Sequence, residues 1–124
     1  MTSAASIGGL AYGSAALPDL LPSVLGELGV PGEAGPLALD LPSRVAVLLI
    51  DGLGLNLLRS HAAQAPYLSS LLPDARTLAV GFPSTTATSL TSLGTGLPPG
   101  AHGVMGLSMR GPGGTVLNAL QWDA

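Results

Sequence analysis

Three short segments of the chain have the hydrophobic pattern of β-strands. Residues 45–50 (VAVLLI) form an uninterrupted apolar run that is partly β-branched. Because both faces of this run are apolar, it predicts a strand buried on both sides, as in a parallel sheet. Residues 77–82 (TLAVGF) and 115–122 (TVLNALQW) predict a second and a third strand.

The segments between these strands have helical spacing. Residues 17–30 place five apolar side chains on one helical face, with Ser23 as a candidate cap of the second half and Gly29 as the end: Leu20, Leu21, Val24, Leu25 and Leu28. Residues 55–60 predict the start of a helix, and Pro66 predicts the first residue of another. A further helix is predicted over 86–93, ending at Gly94 or Gly96.

This order of elements predicts an α/β layered fold with a mainly parallel sheet. Proline and glycine mark residues 31–42 and 97–114 as loops. We expect residues 1–43 to be an N-terminal extension that packs on a core, and residues 44–124 to contain that core.

Composition narrows the possible functions. The 124 residues contain four arginines, no lysine and seven acids, so bulk charge does not favour binding to nucleic acid or to anionic lipid. The absence of cysteine excludes disulfides and thiolate metal sites. No apolar run is long enough to span a membrane, and no basic region precedes the apolar start, so we expect a cytoplasmic protein. Charged residues are only 9%, which predicts a chain that is buried against something or belongs to a larger protein.

Asp51 is the first candidate for chemistry, because it directly follows the run 45–50. Ligands of open α/β sheets bind at the carboxyl ends of strands, where a carboxylate can hold a cation. A role as a helix cap is equally open on position alone. The glycines at 52 and 54 do not complete a dinucleotide-binding motif, since Leu57 occupies the position of its third glycine.

A cluster of hydroxyl side chains lies between the second strand and the helix predicted over 86–93. Residues 84–89 (STTATS) contain five of them. A hydroxyl at a helix start can act as a nucleophile near N–H groups that stabilise negative charge. Taken alone, the cluster fits helix capping better than catalysis. His102 follows in a glycine- and proline-rich loop, where a structural hydrogen-bonding role is the simplest interpretation, and His61 is expected on the surface.

Three motifs in this order resemble the type I phosphodiesterase/nucleotide pyrophosphatase family of the alkaline phosphatase superfamily. They are the apolar strand that ends in Asp51-Gly52, the turn Phe82-Pro83-Ser84-Thr85-Thr86, and residues 95–103 (TGLPPGAHG). The resemblance runs from about Arg44 to Gly106. It implies an alkaline phosphatase-like fold, of which this chain is the N-terminal part.

The resemblance also implies two zinc ions and a covalent nucleophile. By position, Asp51 corresponds to a zinc ligand, and Thr86 corresponds to the nucleophile that binds the same metal. His102 belongs to the motif without being a ligand. Two family residues that contact the phosphate region are replaced: Thr85 stands where many members have lysine, and Ser89 stands where they have asparagine.

The resemblance predicts metal-dependent hydrolysis of small phosphate esters, either phosphodiesters or nucleotide pyrophosphates. Two zinc ions need about six protein ligands, and the matched residues supply Asp51 and Thr86. We therefore expect the other ligands from the remainder of the catalytic domain, and we expect these 124 residues alone to be inactive. A non-catalytic binding or scaffold module with the same fold is the alternative, and phosphoryl transfer to an alcohol fits the same residues.

Overall fold

The computed structural model describes residues 15–121, which fall into two compact units. Among the described residues, one unit combines 15–45 with 78–121, and the other is Ala46–Thr77. The expectation that residues 1–43 form an extension on a separate core stays a prediction. Its first 14 residues lie outside the described part of the chain.

The helix predicted within residues 17–30 is confirmed. A 3-10 turn at Leu17–Asp19 leads into α1 (Leu20–Glu27), and the chain turns away at Gly29, where φ is +77°. The predicted capping role of Ser23 is wrong. Its hydroxyl instead donates to the carbonyl of Asp19 at 2.7 Å and accepts the N–H of Leu37 at 3.0 Å. Ser23 therefore fastens the loop after α1 to the helix.

The second unit contains two short helices, both at predicted positions. These are α2 (Leu55–Ser60) and α3 (Pro66–Ser70), and Pro66 is the first residue of α3 as expected. The run 45–50, however, forms no strand. Its side chains are largely exposed, and Leu48 is 81% accessible.

The prediction of a mainly parallel sheet is not confirmed among the described residues. Residues 77–82 contribute one parallel bridge, between Ala79 and Ala16, with hydrogen bonds from the N–H of Leu17 to the Ala79 carbonyl (2.9 Å) and from the N–H of Ala79 to the Ala15 carbonyl (2.8 Å). A buried strand needs neighbouring strands to satisfy its N–H and C=O groups. In the part of the chain that the structure describes, the run 45–50 has no such neighbours.

Residues 86–121 contain two α-helices and a hairpin. Helix α4 (Thr86–Thr95) matches the predicted helix and ends at Gly96, and α5 (Pro99–His102) is a single turn. Strand β1 (Ser108–Arg110) pairs antiparallel with β2 (Val116–Asn118), Met109 lying opposite Leu117. The third predicted strand is confirmed over β2, and its end at Trp122 lies outside the described residues. Strand β1 lies inside a segment predicted to be loop, because its flanking glycines masked a strand of only three residues.

The described core is small and lies in the first unit. Helix α4 packs against the 3-10 turn and α1, and the buried hydrophobic core lies in these elements and at the N-cap of the turn: Ala16, Val24, Ala87 and Leu93. Buried hydroxyls of Ser23, Thr88 and Ser92 lie among them. No buried side-chain nitrogen or oxygen atom in the described chain lacks a hydrogen-bond partner.

Candidate active site

Asp51 lies in a tight turn at the end of the exposed apolar run. The N–H of Leu53 donates to the carbonyl of Ile50 at 3.4 Å, and Gly52 has φ of +72°. A backbone with positive φ favours glycine, which explains why Gly follows Asp here. Asp51 is exposed, and α2 begins with Gly54 as its N-cap, so the alternative of Asp51 as that cap is wrong.

Thr86 is the first residue of α4. The preceding residue, Thr85, is the N-cap: it has an extended backbone, and its side-chain oxygen accepts the N–H of Thr88 at 3.3 Å. The hydroxyls of Thr85 and Thr88 are also 2.9 Å apart. The half-buried Thr86 therefore stands at the N-terminal end of α4, which carries the partial positive charge of the helix dipole.

His102 connects the loop after α4 to the helix itself. Its Nδ1 accepts the N–H of Val104 at 3.0 Å, and its Nε2 lies 2.9 Å from the hydroxyl oxygen of Ser92. An Nδ1 that accepts a hydrogen bond carries no proton, so the neutral ring has its proton on Nε2 and donates it to Ser92. The predicted structural role of His102 thus consists of two hydrogen bonds, one to Ser92 of α4 and one to the backbone of Val104. His61 is exposed, as expected.

The sequence analysis did not identify Ser92, and it included Thr88 only as a member of the hydroxyl cluster 84–89, although both residues organise α4. Thr88 and Ser92 are only 1% and 2% exposed. They are four positions apart, so they lie on one side of the helix, the side that also packs into the core. The spacing of small polar residues at i and i+4 within the predicted helix was the signal that could have identified them.

The described residues do not by themselves form a metal centre. They contain no group of three or more His, Asp or Glu side chains close enough to hold an ion. Asp51 belongs to the second unit and Thr86 to the first. Each offers one oxygen ligand, and two protein ligands are fewer than a zinc site requires. No helix in the described segment is long and apolar enough to cross a membrane.

A comparison with protein families identifies the class. A sequence model of the type I phosphodiesterase/nucleotide pyrophosphatase family matches residues 45–123, which is more than half of the chain. The chain therefore belongs to this family of metal-dependent hydrolases. Membership implies an alkaline phosphatase-like α/β fold. The chain gave no match to a curated protein or to a solved structure.

Proposed function

We propose that this protein hydrolyses phosphodiester or nucleotide pyrophosphate bonds of small molecules, with Thr86 as the nucleophile. The observation that carries the proposal is the position of Thr86 as the first residue of α4, directly after the N-cap Thr85, whose hydroxyl oxygen accepts the N–H of Thr88. The family match supports a phosphodiesterase or pyrophosphatase in general. The position of Thr86 adds a hydroxyl at a helix start, where N–H groups favour the negative charge of a phosphate.

The proposed reaction has two steps. The Thr86 hydroxyl gives up its proton as its oxygen bonds to phosphorus, the bond from phosphorus to the leaving oxygen breaks, and the departing oxygen takes up a proton. A water molecule then attacks the phospho-threonine, which releases the phosphate product and restores the Thr86 hydroxyl. The backbone N–H of Thr86 faces a phosphate oxygen in both steps, where it stabilises developing negative charge.

We infer that Asp51 and Thr86 are two ligands of a divalent-metal site, zinc by resemblance, whose other ligands lie outside the described residues. When bound, a divalent metal would lower the pKa of a hydroxyl that coordinates it. Because metal affinity depends on the full ligand set, residues 1–124 alone should bind metal weakly and show no turnover. We also propose that the run 45–50 becomes a strand of the family's sheet once neighbouring strands cover it.

The decisive experiment replaces Thr86 in the full-length protein. Thr86→Ala should abolish hydrolysis of a chromogenic phosphodiester, with a loss of at least about a thousandfold in kcat, because no other side chain forms the covalent intermediate. Metal content, measured by elemental analysis, should persist, since the remaining ligands are untouched. Ser84→Ala is the matched control, and it should retain most of the activity.

Three results would count against parts of this proposal. Wild-type turnover by Thr86→Ala would exclude Thr86 as the nucleophile. If residues 1–124 alone bind metal and hydrolyse substrate, ligands from outside these residues are not needed. A folded full-length protein without metal or turnover would support a scaffold module. Product analysis with an added alcohol separates hydrolysis from transfer, because transfer yields a new phosphate ester.

A further inference from the structure

We propose that His102 is a positioning residue for the nucleophile, acting through Ser92 to fix helix α4. This inference rests on the proposed function of Thr86. Its observational basis is the two-sided hydrogen bonding of the His102 ring, to Ser92 at 2.9 Å and to the backbone N–H of Val104 at 3.0 Å. The ring therefore links the middle of α4 to the loop that follows α5.

The bond to Ser92 is protected from water. Ser92 is 2% exposed, and His102 is half-buried, so solvent cannot replace this interaction freely. Removal of one partner leaves a buried polar group unsatisfied, which costs more than the hydrogen bond contributes on average. The helix would then shift or rotate until Ser92 finds another partner.

A movement of α4 at Ser92 reaches the nucleophile. Thr86 lies six residues away on the same helix, about 9 Å along its axis at 1.5 Å per residue. The other fixed point is the N-cap, where Thr85 accepts the N–H of Thr88. Two anchors, one at the first turn and one at His102, thus define both the depth and the rotation of the helix that carries Thr86.

Two substitutions of His102 separate its two hydrogen bonds. Glutamine places an amide N–H near the position of Nε2 and can keep the bond to Ser92. Asparagine places its oxygen near Nδ1 and can keep only the bond to Val104. In the full-length protein we expect His102→Asn to lower kcat by about tenfold to a hundredfold with little change in KM, as expected when a reacting group is misplaced. His102→Gln should retain most of kcat.

The matched controls use Ser92 and the other histidine. Ser92→Ala should lower kcat like His102→Asn, and the double variant should be no worse than either single one, because both remove the same bond. His61→Asn should leave kcat unchanged, since the His61 ring is exposed and its partners in the described residues are neighbours, the Ser60 hydroxyl and the carbonyl of Leu57. Equal kcat for His102→Asn and wild type, at a temperature where both are folded, would overturn the proposal.

An independent readout separates this inference from the proposed function. Nuclear magnetic resonance of the His102 ring should show the proton on Nε2, and in His102→Asn the amides of Thr88 and Ser89 should exchange faster with solvent. Both amides bond to Thr85, at its side chain and its carbonyl respectively. If the wild-type protein has no turnover but His102→Asn still shows faster exchange of these amides, the proposed function is excluded and the role of His102 in fixing α4 is kept. Unchanged exchange of both amides would remove the anchor, whatever the activity.

Discussion

At the scale of single residues, Gly96 shows most directly why a particular side chain is required. It ends α4 with φ of +69°, and its N–H donates to the carbonyl of Ser92 at 3.0 Å. A Cβ atom at this position would lie 2.6 Å from Cγ of Pro22. The backbone conformation and the packing against Pro22 therefore require glycine at position 96 of the motif 95–103, independently of catalysis.

Replacement of Gly96 should lower stability by two separate effects. Gly96→Ala places an alanine in the left-handed region, at a cost of about 1–3 kcal/mol, and forces Pro22 to move. Gly94→Ala is the matched control: Gly94 lies inside α4 with open space around it, so alanine there should stabilise by about 0.5–1 kcal/mol. Thermal unfolding of both variants checks this. Equal midpoints would contradict the proposed packing of Gly96 against Pro22.

At the scale of elements, α4 is organised by a cap that the family comparison alone would not have suggested. The resemblance implies a lysine at the position of Thr85, whereas here the Thr85 hydroxyl accepts the N–H of Thr88. A lysine side chain has no acceptor atom, so it could not make this bond. Relative to that implied pattern, this chain has a cap of α4 in place of a positive charge.

The cap predicts an effect on stability, whereas the prediction for Thr86 concerns activity. Thr85→Ala should lower the free energy of unfolding by about 0.5–2 kcal/mol, whereas Thr85→Ser should keep the bond and most of the stability. Denaturant unfolding measures both. Thr85→Lys should resemble Thr85→Ala, and a stability equal to wild type in Thr85→Lys would show that the cap is unimportant.

At the scale of the whole molecule, the described chain exposes more apolar surface than its small core can explain. The run 45–50 is the clearest case, since Val47, Leu48, Leu49 and Ile50 are all exposed. Large contiguous apolar patches on soluble proteins mark surfaces that another element or molecule covers. In this family, the covering element we propose is the remainder of the sheet.

Hydrogen exchange provides the test at this scale. In the full-length protein, the amides of residues 46–50 should exchange far more slowly than those of the exposed loop 31–36, because strand pairing protects them. In residues 1–124 alone, the two segments should exchange at similar rates. Mass spectrometry of peptides from each segment measures the difference. Exchange as fast as the loop in the full-length protein would exclude the proposed strand.

The agreement between sequence and structure follows the range of the interactions. The helices beginning at Leu20, Leu55, Pro66 and Thr86 were predicted because spacing, proline and glycine act within a few residues. The role of Ser23 was not predicted, because it depends on Leu37, which is 14 residues further along the chain. Strand β1 was not predicted either, because it has only three residues and lies in a glycine-rich segment, so only its pairing with β2 defines it. Thr86 could be located at a helix start from the sequence, but its cap could not be assigned before Thr88 was placed.

By itself, the sequence determined the family, the positions of the main helices and the two candidate residues Asp51 and Thr86, because motifs and helical periodicity are properties of neighbouring residues. Only the tertiary structure decided which hydroxyl caps α4, which nitrogen of His102 carries the proton, and that the run 45–50 is uncovered in the described chain. These features depend on contacts between residues brought together by folding. A strand in particular exists only where a neighbour accepts and donates its hydrogen bonds.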